Sequence, residues 1–213
     1  IFDVTGAGDT ILAALGYANA YKKNIDEAVK FANLAAGVVV GKIGSSTATM
    51  NEITRYESNL QKLNSSTLIK ELSEIGGVVD QIKSQRKKIV FTNGCFDILH
   101  LGHIKYLEEA KSYGDILIVG INSDDSVKSI KGSERPINSQ VDRAYIVASL
   151  KAVDYVVIFP EDTPYNLISK IKPHILVKGG DYEGVPVIGE DIADELKIVK
   201  FTEGKSTSKT ISK

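Results

Sequence analysis

Two histidines three residues apart, His100 and His103, follow a glycine turn in the segment Phe91-Thr-Asn-Gly-Cys-Phe-Asp-Ile-Leu-His-Leu-Gly-His103. Imidazoles can donate hydrogen bonds to phosphate oxygens, and Gly102 between them lets backbone come close to a ligand. The run at 88–92 is short and apolar and stops at Asn93-Gly94, which reads as a buried strand ending in a turn. From 102 to 112 the apolar residues Ile104, Leu107 and Ala110 fall at helix spacing. The histidines therefore belong where a strand's C-terminal end meets a helix N-terminus. Open α/β sheets bind ligands there, and unpaired N–H groups with the helix dipole attract phosphate there. The chemically silent alternative is a pair of partly buried histidines capping a helix.

Other groups suit the same chemistry. Lys128 and Lys131 sit in what reads as a loop after the second strand, where ammonium groups can offset triphosphate charge; lysines simply solvated in a loop would look the same. Arg143 follows Arg135-Pro-Ile-Asn138 and either bridges phosphates in a cleft or pairs with Asp142 or another neighbour at the surface. Lys178-Gly179-Gly180-Asp181 leaves a later strand, and its glycines would let backbone approach a base or ribose, with Asp181 accepting hydrogen bonds. A plain Gly-Gly turn is the alternative. Ser206, Thr207 and Ser208 follow the last strand, where hydroxyls at a helix start can bind phosphates or serve as an ordinary cap.

The elements that must hold these groups alternate from residue 88 onward. Strands are expected at 89–92, 116–121, 155–158, 175–178 and 198–201. Helices are expected at 102–112, 139–150, 164–171 and about 190–196, with Thr163-Pro164 as the cap of the third. The strands are Val/Ile-rich and nearly unbroken, as when both sheet faces are covered. This pattern predicts a Rossmann-like, doubly wound α/β domain with a parallel five-stranded sheet over residues 87–213. Residues 51–86 are polar and read as a linker with a helix; Gly76-Gly77 is expected to interrupt it, and the basic run at 83–88 to be a solvated helix end. Residues 1–50 are Ala/Gly-rich, with helices expected at 10–21 and 25–40.

The chain has 213 residues, a formal net charge of −1 and one cysteine, Cys95. Near-neutrality gives no basic field for nucleic acid. One cysteine permits no internal disulfide, which fits a reducing cytoplasm. No apolar run reaches membrane-spanning length and no signal peptide is visible. Near the start, Asp3-Val-Thr-Gly-Ala-Gly-Asp9 precedes a helix. Its small residues can form an N–H nest for an anion, and Asp9 could accept a proton from an attacking hydroxyl; a Gly-rich helix start with a capping Asp is the plain alternative. The opening inside this motif, without Met, suggests a C-terminal portion of a longer protein, and the short stretch after Ser208 suggests that its final helix is cut.

The His-x-Gly-His segment resembles the HxGH nucleotidylyltransferases, in their cytidylyltransferase-like branch. The first segment resembles the second conserved motif of ribokinase-type (PfkB) sugar kinases. Together with the order kinase end, linker, transferase, the chain resembles the bifunctional heptose 7-phosphate kinase/heptose 1-phosphate adenylyltransferases of lipopolysaccharide synthesis. The resemblance implies a reaction of ATP, with Mg²⁺, and D-glycero-β-D-manno-heptose 1-phosphate giving ADP-heptose and pyrophosphate. It implies catalysis by His100, His103 and Lys131. Nucleotide or phosphate contacts are implied for Asn93, Gly94, Cys95, Phe96, Asp97, Gly102, Lys128, Arg143, Lys178, Gly179, Asp181, Ser206, Thr207 and Ser208, with no protein-held metal. Asp97 either orients a histidine or contacts the metal indirectly, and Cys95 is expected to be buried filler rather than a nucleophile. In the longer parent, Gly6, Ala7 and Gly8 would form the kinase anion hole and Asp9 its base; residues 1–50 alone are not expected to phosphorylate a sugar, and should expose an apolar face. A cytoplasmic homo-oligomer without nucleic-acid or membrane partners is expected. Two departures are Ser208, where the family has a second Thr, and Lys205 before the Ser-Thr pair. A glycerol-3-phosphate cytidylyltransferase, sharing several of these elements, and a catalytically dead nucleotide-binding fragment are the rivals.

Overall fold

The computed structural model describes residues 3–62 and 65–200. The chain divides into two compact units, Ile1–Asn64 and Ser65–Lys213. The second carries the histidines.

Its frame is a six-stranded, all-parallel sheet in the order β1-β4-β3-β2-β5-β6. The strands are β1 (Ile69–Lys70), β2 (Ile89–Gly94), β3 (Ile116–Asn122), β4 (Tyr155–Phe159), β5 (Ile175–Gly179) and β6 (Glu195–Val199). The five expected strands are all present, and the two-residue β1 is added beside β4. The β2–β3 ladder is in register along its length, with Ile89 opposite Ile116 and Gly94 opposite Ile121.

Alternate residues of the strands feed two cores. Val90, Leu117, Val119, Val156 and Val177 face Leu107 and Ala110 of α6 (Leu101–Ser112) and Ala144 and Val147 of α8 (Gln140–Ala148). Phe91, Ile118, Val157 and Leu176 face Ile75, Val79 and Ile82 of α5 (Ile75–Ser84) and Leu167, Ile168 and Ile171 of α9 (Tyr165–Ile171). Each fully buried large side chain here contributes roughly 1.5–3 kcal/mol. Helices on both faces make the sheet doubly wound, as the unbroken apolar runs require.

Several local expectations change. Gly76 and Gly77 do not interrupt the chain but lie inside α5, because Ile75, Val79 and Ile82 are buried at helical spacing. The segment at 190–196 is not a helix: it turns and then enters β6 at Glu195, which pairs with Ile175. Residues after β3 form α7 (Asp124–Lys131), capped by Ser123, whose hydroxyl accepts from the Ser126 amide. In α9 the N-cap is Pro164 itself, with no side-chain cap bond.

The first unit consists of α1 (Ala7–Ala20), α2 (Ile25–Val39) and α3 (Met50–Lys62). Its core is built from Ala14, Ala32, Ala35, Val38 and Ile53. Gly37 makes room for Tyr56: a Cβ there would lie 2.5 Å from the ring. Leu12 and Ile25 are each 71% exposed, so apolar surface faces outward, as expected of this segment. Between α3 and β1 lies the short helix α4 (Ser65–Leu68), the first element of the second unit.

Candidate functional site

The strand order reverses direction between β2 and β5, so a crevice opens at their C-terminal ends. β2 ends at Asn93-Gly94, and β5 ends at Lys178-Gly179. The chain leaving β2 then turns sharply. Phe96 has φ +46° and is buried, a conformation an aromatic residue adopts only under constraint. Its ring lies over Gly94, where a Cβ would approach it to 3.1 Å. Any side chain at 94 would press on that ring.

His100 is the N-cap of α6, with extended backbone, and its carbonyl accepts from the His103 amide at 2.9 Å. One turn brings the two rings together. Their centroids are 3.9 Å apart and their planes 22° from parallel. Phe96 meets His103 edge-on at 5.4 Å. Nδ1 of His103 is buried with no hydrogen-bond partner among the described residues, so this ring is held by packing. Burial, then the charges of His100 and Lys131, push its pKa down to about 4. The imidazole is therefore neutral at pH 7 in the ligand-free protein. An anion bound beside it would favour the charged form.

Asp97 is buried and ties two loops together. One carboxylate oxygen accepts from the amides of Ile137 (2.8 Å) and Asn138 (3.0 Å), the other from Arg135. Burial would raise its pKa, but the Asn138 amide and Arg135 outweigh it and hold the carboxyl below its usual range. These contacts fix the loop that enters α8.

Arg143 is fully buried, and its ion-pair partner is Asp124 rather than Asp142. The guanidinium donates to the carbonyls of Asn138 (3.0 Å), Cys95 (2.6 Å) and Asn122 (2.8 Å) and to the Asp124 carboxylate (2.8 Å). It joins the exits of β2 and β3 to the entrance of α8. Asp142 instead accepts from the Ser139 hydroxyl at 2.7 Å. Burial, above all, raises the Cys95 thiol. A raised thiol is a poor nucleophile.

Lys128 and Lys131 occupy the last turn of α7 rather than a loop, which suits cations near a helix C-terminus. Lys128 pairs with Asp125 at 3.2 Å. Lys131 is exposed, and its charge reaches His103 and Cys95. Gly179 and the exposed Asp181 lie at the end of β5 and in the 3-10 turn Gly180–Tyr182. Ser206, Thr207 and Ser208 lie outside the described residues. Sequence reasoning missed Arg135 and Asn138 as partners of Asp97; their adjacency to Pro136 was visible, but not a contact about 40 residues away.

In the first unit, Gly6 caps α1 in the left-handed region (φ +81°), and Thr10 donates to its carbonyl through both amide (2.9 Å) and hydroxyl (2.8 Å). The Ala7 amide donates to Val4 at 3.2 Å. Gly8 and Asp9 lie in the first turn of α1, with Asp9 exposed.

No helix among the described residues is long and apolar enough to cross a membrane. No group of three or more His, Cys, Asp or Glu residues among them could hold a metal ion.

Residues 91–210 match the cytidylyltransferase-like family over more than half of the chain. The chain belongs to the cytidylyltransferase-like family. Residues 1–52 match the pfkB family of carbohydrate kinases. The chain is 64% identical over 213 residues to the bifunctional protein HldE of Aliarcobacter butzleri, covering all of this chain and 45% of that protein. It is 61% identical to the bifunctional protein HldE of Nitratiruptor sp., covering 46% of it. The chain thus spans about half the length of the curated relatives it matches. A solved pantoate-beta-alanine ligase from Francisella tularensis shares the fold, with TM-score 0.51, 20% identity, and coverage of 66% of this chain and 69% of that one.

Proposed function

We propose that this chain transfers an adenylyl group from ATP to D-glycero-β-D-manno-heptose 1-phosphate, releasing ADP-heptose and pyrophosphate in the cytoplasm for lipopolysaccharide core synthesis. The observation that carries this is the stacked His100–His103 pair at the N-terminus of α6, beside the point where the strand order reverses. The relatives named bifunctional protein HldE support a second, kinase activity in a longer parent, with Gly6, Ala7 and Gly8 as anion hole and Asp9 as base.

In the reaction, a phosphate oxygen of the sugar phosphate attacks the α-phosphorus in line. The bond from that phosphorus to the bridging oxygen breaks, and pyrophosphate leaves with the electron pair. The attacking group is already ionised, so no protein nucleophile is needed, and catalysis is positioning and charge stabilisation. His100, His103 and the α6 N-terminus hold the triphosphate. Lys131 and Lys128 offset charge from the end of α7, and Ser206, Thr207 and Ser208 bind the leaving pyrophosphate. Gly179 and Asp181 take the nucleoside, while Asn93, Gly94, Phe96 and Gly102 shape the floor. Cys95, Asp97 and Arg143 set the loops around it. The described residues offer no cage for Mg²⁺, which would arrive on the nucleotide's own phosphates; no step is assigned to it. A homo-oligomer belongs to the same proposal.

The test is pyrophosphate release with Mg²⁺, comparing ATP with CTP and heptose 1-phosphate with glycerol 3-phosphate. Release only from ATP with the heptose phosphate, lost in His103→Ala, is expected. Release from CTP with glycerol phosphate would replace this proposal with the cytidylyltransferase rival. No release with any pair, despite nucleotide binding, would mean a dead fragment.

A further inference from the structure

The pairing of β2 with β5 covers two steps, Val90 with Ile175 and Phe91 with Leu176, whereas β2 stays paired with β3 as far as Gly94. Thr92 and Val177 are the next residues along the two strands, and there a side chain from α6 joins them. The Tyr106 hydroxyl lies 2.6 Å from the Thr92 hydroxyl and donates to the Val177 carbonyl at 3.1 Å. A carbonyl can only accept, so the phenol's one proton goes to Val177 and the Thr92 hydroxyl donates to the phenol oxygen. Thr92 is fully buried, and the Tyr106 ring packs on the core that holds Val90, Leu107 and Val177. Burial, opposed by the Thr92 bond, raises the phenol pKa, so the proton stays in place. The bridge spans the fork where β2 and β5 part to open the crevice.

The same residue stands one turn after His103 on α6, on the same side of the helix. Lys111 ties the far end of α6 to Asp154. Tyr106 ties the half that carries the histidines to the sheet. His103 itself is held by ring contacts with Phe96 and His100, so its place follows where α6 lies. We propose that Tyr106 is a positioning residue: its hydroxyl, bridging Thr92 and Val177, sets the height of the His100–His103 pair over the β2–β5 crevice. It acts through the histidines and not on the substrate. The proposal rests on the transferase reading for its effect on turnover, but not for its effect on the rings. A displacement of about 1 Å at such a pair costs on the order of a hundredfold in rate.

Tyr106→Phe keeps the ring and removes the bridge. Thr92→Val removes its other end, and Thr92→Ser keeps a hydroxyl there. Each whole chain is measured for kcat and KM in pyrophosphate release from ATP with heptose 1-phosphate, and for the ring-proton NMR signals of His100 and His103 without ligand. Expected for Tyr106→Phe and Thr92→Val is a fall of about tenfold in kcat, with KM within about twofold, and displaced histidine signals. Thr92→Ser should match wild type in both. The double variant Tyr106→Phe/Thr92→Val should be no slower than the slower single, because both remove one bridge. A lowered Tm with wild-type kcat and unmoved histidine signals overturns the proposal and marks the bridge as structural only. So does a fall in kcat with unmoved signals, moved signals with wild-type kcat, or Thr92→Ser behaving like Thr92→Val. If Tyr106→Phe does not fold, Thr92→Val against Thr92→Ser decides. If the wild-type chain releases no pyrophosphate, the transferase reading fails, and the NMR comparison decides this inference by itself.

Discussion

The imidazoles of His100 and His103 stack face to face, their ring centres 3.9 Å apart. Burial comes first and the neighbouring His100 second in lowering the His103 pKa from 6.5 to about 4. The unfolded chain therefore binds a proton near pH 6.5 that the folded chain refuses until about pH 4. The stability tied to this residue is complete above pH 6.5, falls as the pH drops toward 4, and is level below that. Denaturant unfolding at steps across this window should show a smaller loss for His103→Gln than for wild type. Equal slopes would mean that His103 titrates normally.

Asp97→Ala leaves the Arg135 guanidinium and two backbone amides without their acceptor. A loss of about 3 kcal/mol is expected for breaking such a buried pair. The lowered carboxyl pKa sets the sign with pH: its contribution is full above the unfolded value near 4 and is lost as pH falls through the folded value. Chemical denaturation of Asp97→Ala at pH 7 and in acid should therefore converge toward wild type in acid.

Arg143→Lys should behave as a drastic change. An ammonium cannot span three carbonyls and a carboxylate arranged for a planar fork. About 2–3 kcal/mol of stability should be lost, on the scale of unsatisfied buried groups. Pyrophosphate release should fall through a lower kcat, because the exits of β2 and β3 are no longer tied to α8. A wild-type unfolding midpoint would show that the latch is redundant.

Gly114→Ala tests packing behind the site. A Cβ there would lie 2.6 Å from Val90 Cγ2 and 2.9 Å from the Lys88 carbonyl, and the backbone atom cannot swing away. Overpacking of this kind costs about 1–3 kcal/mol. Thermal unfolding should show a lower Tm with unchanged nucleotide affinity.

What could be read in the residues was local. The apolar runs of β2 to β5 and the helix spacing of Ile104, Leu107 and Ala110 gave the frame and put the histidines at a strand-to-helix junction. Segment α7 reads as a loop because only Val127 and Ile130 are apolar among its eight residues, although Ser123 is a cap signal. The helix expected at about 190–196 gives way to β6 from Glu195, which pairs with β5. The glycines of α5 carried a local penalty that burial of Ile75, Val79 and Ile82 overrides. Arg143 and Lys178 show the deeper limit. The carboxylate that pairs with Arg143, Asp124, and the amide that accepts from Lys178, Asn93, approach them only through the folded sheet.

The margins of the sheet have a consequence for handling the protein at high concentration. At one edge β1 offers only two residues, paired to Val156 and Val157, too short a template for another chain to extend. At the other, β6 carries Glu195 and Lys197, paired with each other and partly solvated. Charged and abbreviated edges discourage strands of neighbouring molecules from adding on, so crowding should favour monodisperse solutions over fibrous precipitate.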